Sequence, residues 1–121
     1  MKILIETLLL TPSLNKLTGR NGHWIKHNAV RKWIVELANQ QVHGDLETQE
    51  LKPPCKITVR RFSGRTLDRD NFVGGLKPMI DALVHLGIIK NDTKLMLEHG
   101  NHEQHICKDN PRMEITIEEV E

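Results

Sequence analysis

Cysteine is scarce in this 121-residue chain: there are two, Cys55 and Cys107, with no CxxC spacing. That excludes a disulfide framework, and both are expected to be buried thiols in strands. Long apolar runs are missing too. The first ten residues are rich in Ile and Leu, but they contain Glu6 and end just before Pro12. They are too short and too poorly flanked for a signal peptide or a membrane span, so no membrane association and a cytoplasmic location are expected. There are no internal repeats, low-complexity tracts or linkers. The length suits one domain over residues 1–121, burying roughly two-thirds of its unfolded surface.

An excess of one charge is also lacking, since the formal net charge is +1, yet the charges are unevenly distributed. Residues 1–33 carry six Lys or Arg against one acid, and residues 56–77 six against two. Residues 78–121 reverse this, with nine acids against four basic groups. A fold that sets the two basic blocks on one face presents a phosphate-binding surface; the alternative is a scatter of solvated charges. The candidates for contact with nucleic acid are Lys16, Arg20, Lys26, Arg60, Arg61, Arg65 and Arg69.

Hydrophobic patterning predicts a strand over Lys2–Leu10, then a long loop over Ser13–His27 that includes Trp24. Apolar residues at three- and four-residue steps from Val30 to Val42 predict an amphipathic helix with Asn28 as N-cap. Alternation of Cys55, Ile57 and Val59 with Lys56, Thr58 and Arg60 predicts a strand with one buried and one basic face. Leu76, Met79, Ile80, Leu83 and Val84 form the apolar stripe of a second helix ending near Gly87, with Gly74-Gly75 and Pro78 at an interrupted start. A hairpin around Gly100-Asn101 and a strand through Met113, Ile115 and Ile117 complete the chain. The expected fold is α/β, a mixed parallel/antiparallel sheet with two helices packed on one face, in the order β-α-β-α-β-β.

Within this frame four acids and a lysine, Asp68, Asp70, Lys77, Asp81 and Asp92, fall in 25 residues. Asp68 and Asp70 are two apart, so on an extended segment their carboxylates leave the same face and repel. Such a pair calls for a cation, a shared proton or a basic neighbour, and an all-oxygen set suits Mg²⁺, or Mn²⁺ as the alternative, better than zinc. The commoner role of such an Asp is a helix N-cap, and Lys77 with Asp81 can equally be a surface i,i+4 ion pair. As a set, the residues point to metal-dependent phosphodiester chemistry.

The pattern Asp68-x-Asp70-Asn71, Lys77-Pro78, Asp81-Ala82-Leu83, Gly87-Ile88-Ile89 and Asp92 resembles the RusA family of Holliday-junction resolvases, with weaker likeness at Pro12–Asn15 and Arg112–Ile117. The resemblance implies a Mg²⁺-dependent endodeoxyribonuclease that acts as a homodimer on four-way DNA in recombination and repair. It implies Asp68, Asp70 and Asp92 as metal ligands, Lys77 as a further catalytic group, and Asn71, Asp81 and Asn91 as supporting residues. The chain departs from the family pattern at Gly74-Gly75, at Asn91 where an acid is frequent, and at Leu67 where a basic residue is frequent. A second reading follows from those departures, a branched-DNA-binding protein with weak or no cleavage; a third is a general Mg²⁺ nuclease acting on RNA or flaps. With a helix on the order of 15 Å long before it, Asp92 reaches the site from a returning loop or from a second copy of the chain. His99, His102, His105 and Cys107 form a competing set for zinc, but their spacing fits neither a finger nor a knuckle.

Overall fold

Strict two-residue alternation builds the sheet of this protein, seen in a computed structural model that describes residues 2–42, 51–93 and 96–120. The elements are β1 (Lys2–Thr7), α1 (Leu14–Thr18), α2 (Gly22–Val42), β2 (Cys55–Ser63), α3 (Arg69–Gly74), α4 (Lys77–His85), β3 (Leu97–His99), β4 (Glu103–Ile106) and β5 (Arg112–Glu119). The central strand β5 runs antiparallel to both β1 and β2, placing Ile115 opposite Ile5 and Ile117 opposite Ile57. Inward residues Ile3, Ile5, Ile57, Val59, Met113, Ile115 and Ile117 share one core with Trp33 and Leu37 of α2 and Met79 and Leu83 of α4. The fold is α/β with a mixed sheet.

The region beyond Asn91 corrects the expected hairpin. β3 and β4 do not pair with each other; both run parallel to β2, β3 beside Cys55–Ile57 and β4 beside Arg60–Ser63. They are two pieces of one edge, interrupted at Gly100–His102. There His102 turns its side chain inward, and its Nδ1 accepts the Val59 N–H at 3.0 Å, replacing the missing ladder bond. Gly100 is required at the break, since a Cβ would sit 2.2 Å from Thr58 Oγ1.

Two further corrections concern helices. The predicted loop over Ser13–His27 contains α1 and the first turns of α2, which starts at Gly22 rather than after Asn28. His23, Trp24, Lys26, His27 and Asn28 are all exposed, so this part of α2 has no apolar stripe to betray it. The acidic segment also forms its own short helix, α3, giving four helices and five strands among the described residues where the expected order had two and four. No described helix is long and apolar enough to cross a membrane.

The end of α4 sets the later path. Gly87 has φ +74°, its N–H bonds to the Val84 carbonyl, and the Ile88 N–H bonds to the Leu83 carbonyl, both at 3.0 Å. This is a Schellman ending, with Ile88 and Leu83 both buried. It reverses the chain so that Ile88 and Ile89 return to the core. A Cβ on Gly87 meets nothing within 4 Å, so Gly87→Ala should cost only the left-handed backbone penalty, about 1 kcal/mol, read from the urea midpoint.

The outer face of the sheet was expected to be basic along β2. Instead acids from β4 and β5 lie against it: Arg60 pairs with Glu103 at 3.3 Å and Glu114 at 3.6 Å, and Lys56 with Glu118 at 3.5 Å. Arg112 sits over the Phe62 ring at 3.9 Å. Such exposed pairs add little stability, but they leave this face without surplus positive charge.

Candidate active site

The acidic motif begins where Leu67 is gripped by Gln104 of β4. The Gln104 amide accepts the Leu67 N–H and donates to the Leu67 carbonyl, both at 2.8 Å, in the manner of a paired strand. On the other side of Asp68, Arg69 Nη1 donates to the His102 carbonyl at 3.3 Å. Asp68 occupies the N-cap position of α3, and its carbonyl accepts the Phe72 N–H at 2.9 Å. Phe72, fully buried, anchors the helix, its ring standing edge-on to His102 with centroids 6.2 Å apart.

Asp68 makes no side-chain capping bond, and Asp70 lies in the first turn. Both are exposed. Asp68 thus stands at the N-cap position without capping the helix through its side chain.

Asn71 joins this helix to the N-terminal segment. Its Oδ1 accepts the Asn15 N–H at 3.1 Å, so it positions α1. The same contact explains Gly74-Gly75: a Cβ on Gly75 would lie 1.9 Å from the Pro12 carbonyl oxygen, and one on Gly74 2.8 Å from Leu14 Cδ2. The glycines let residues 12–14 press directly on the joint between α3 and α4. The segments Pro12–Asn15 and Asp68–Asn71, far apart in sequence, thus touch.

The remaining motif residues gather at the start of α4. Lys77 Nζ donates to Asp92 Oδ2 and pairs with Asp81 Oδ1 at 3.0 Å. Asp92 therefore returns within the same chain, brought back by the reversal at Gly87. Asn91 serves the return as a turn former, its Oδ1 accepting the Thr93 N–H at 3.0 Å. The bond from Lys77 holds Asp92 below the ordinary carboxylate range. Burial works against the charge on Lys77, but Asp92 and Asp81 together outweigh it and hold the ammonium above its ordinary pKa.

Of the three predicted metal ligands, Asp68 and Asp70 lie on one turn, while Asp92 is engaged by Lys77. Among the described residues no three His, Cys, Asp or Glu side chains are grouped closely enough to hold a metal ion. The donor chemistry at Asp68 and Asp70 nonetheless fits a hard divalent cation, being two exposed carboxylates with oxygen donors only. The rival zinc set is not assembled. His99 Nδ1 and His102 Nε2 lie 2.8 Å apart in a hydrogen bond, whereas His105 stacks on Phe62 and contacts Glu103. Cys107 is half-buried rather than buried, unlike Cys55.

The predicted nucleic-acid contacts divide. Lys16, Arg20, Lys26, Arg65 and Arg69 are exposed. Arg60 is paired with acids, as described above, and Arg61 is corrected outright: it is 8 % exposed, with Nη1 donating to the Arg65 carbonyl at 3.3 Å. Its place in β2 follows the inward alternation of Ile57 and Val59, which outweighs its charge. Gln104 and His102, which position the acidic turn, were not foreseen, because a cross-strand grip leaves no local pattern in the sequence. The chain matches no family model and no curated protein.

Proposed function

We propose that this protein is a Mg²⁺-dependent endodeoxyribonuclease of the RusA type, cutting four-way DNA symmetrically in recombination and repair. The observation that carries the reading is the pair Asp68 and Asp70, two exposed carboxylates on a turn held from both sides by Gln104 and His102. Neither carboxylate has an ion-pair or hydrogen-bond partner among the described residues, and two unneutralised acids on one turn suit a bound cation. The cation, Mg²⁺ or Mn²⁺, supplies an activated water and charge stabilisation at phosphorus when bound.

The protein's own residues have the following roles in this reading. Asp68 and Asp70 would hold the cation, and Asp92, bonded to Lys77, is the third acid of the motif. Lys77, kept charged by its two acidic neighbours, contacts the scissile phosphate. Asp81 keeps that lysine in place, Asn71 keeps the basic α1 beside the motif, and Asn91 shapes the turn that delivers Asp92. Lys16 of α1, Arg20 after it and Lys26 of α2, with Arg65 and Arg69, attract the DNA backbone. Two such sites related by a twofold axis cut opposing strands, so the active form is a homodimer. A cytoplasmic location goes with this role.

The test is incubation of purified protein with a labelled four-way junction and a matched linear duplex, with Mg²⁺ or EDTA. Paired nicks on the junction that vanish in EDTA are the expected result. Equal cutting of the linear duplex would replace the reading with a general nuclease, and tight junction binding without nicks would replace it with a branched-DNA-binding protein.

A further inference from the structure

Arg61 has no role in that scheme, yet its placement is costly. A buried guanidinium needs partners for its donors, and a buried cation needs a counter-charge. Nη1 reaches the Arg65 carbonyl, but Nε is buried with no partner among the described residues. The only other buried side-chain polar atom in that condition among the described residues is Thr11 Oγ1. Both residues line the same cavity, of about 710 Å³, between the segment after β1, α2 and β2.

The cavity's chemistry is one-sided. Lys16 of α1 and Lys32 of α2 join Arg61 in its wall, no described acidic side chain lines it, and no described acid forms an ion pair with any of the three. Asn28 adds a neutral polar group. The rest of the lining includes apolar residues, among them Leu9, Ile25 and the buried Trp33. Three cations with two orphaned hydrogen-bonding groups call for an oxyanion, and Arg is the side chain best matched to phosphate. The volume exceeds what a bare phosphate fills and lies within the range of small-molecule sites. The apolar wall suits the planar body that such a ligand would carry.

We propose that this cavity is a nucleotide-binding subsite, in which Arg61, Lys16, Lys32 and Thr11 hold a phosphate and the wall formed by Leu9, Ile25 and Trp33 receives the base. Leu9 to Pro12 and Lys16 line it, while Pro12 and Asn15 of the same stretch meet Gly75 and Asn71 beside the acidic turn. The subsite stands on its own chemistry and needs no hydrolysis at the aspartates. Its ligand is a phosphate on a nucleoside, supplied either by a strand terminus or by an internal diester.

Calorimetric titration in EDTA tests this apart from cleavage, with thymidine, thymidine 5′-monophosphate and the dinucleotide TpT as probes. At least one phosphate-bearing probe should bind roughly tenfold or more tightly than thymidine. Preference for the monophosphate identifies a strand terminus, and preference for TpT, or equal binding, an internal diester. Arg61→Met should weaken binding by a similar factor. Because that variant alters a buried position, the Lys16→Ala/Lys32→Ala pair, at exposed sites, provides the second reading and should weaken binding with thermal unfolding unchanged. Equal titration of thymidine and both phosphates, no binding of any probe, or wild-type affinity in the double variant would overturn the subsite, whatever the junction assay shows.

Discussion

Asp70→Asn should lower metal-dependent junction cleavage by roughly a hundredfold or more, the upper end of what removing a group that merely orients a metal ligand costs. The substitution keeps the shape of the side chain and removes its charge, and Asp70 is exposed on the first turn of α3. Folding should therefore be untouched, and junction affinity in EDTA should hold or rise slightly as a negative charge leaves the surface proposed to meet phosphate. Asp68→Asn should behave alike. Gel-shift and cleavage assays on the same preparations check both halves. A variant that cuts normally would remove Asp70 from the site, and one that loses binding and cleavage together would make the motif a DNA contact rather than a metal site.

A second large effect concerns pH. His102 is buried, and burial, followed by the charges of His99 and Arg69, lowers its pKa from 6.5 to about 4. Its Nδ1 accepts the Val59 N–H, so the neutral ring carries its proton on Nε2 and donates it to His99 Nδ1. Protonating Nδ1 would set two donors against each other at the break in the sheet edge. Because the folded pKa lies below the unfolded one, this contribution is fully present above about pH 6.5 and is lost as pH falls toward 4. The loss should reach about 3 kcal/mol, since each tenfold weakening of proton binding by the folded state is worth about 1.4 kcal/mol. Urea unfolding at pH 7, 5.5 and 4 measures it, and His102→Asn, which keeps an acceptor for Val59 but does not titrate, should flatten the slope even if it is less stable throughout. An unchanged slope in that variant would assign the acid sensitivity to other groups.

The same histidine shows why part of the site is invisible in one dimension. Its nearest chemical neighbours in sequence, His99, His105 and Cys107, read as zinc ligands, yet the ring is used as a substitute backbone acceptor. Gln104 offers no signal at all, although its amide fixes Leu67 and hence the direction of Asp68. Arg61 was legible as an inward position from the alternation around it, but its charge argued for the surface. The two pieces of the β2 edge resembled a hairpin because Gly100-Asn101 is ordinary turn chemistry. Only the parallel register with β2 distinguishes a turn from an interruption.

What the sequence alone determined was everything governed by short-range periodicity and chemistry. The alternation of β1, β2 and β5 selected the buried face, the stripe from Leu76 to Val84 selected the inner side of α4, and Gly87 selected the reversal after it. The acids and the lysine were likewise legible, since spacing and donor type are one-dimensional facts. Tertiary structure alone decided which partners those residues have. It returned Asp92 to Lys77, set the glycine pair under Pro12, neutralised Arg60 with acids from two other strands, and enclosed Arg61 beside Lys16 and Lys32. Each of these rests on contacts between segments far apart in the chain, whose energies depend on where the core brings them together and not on any local pattern.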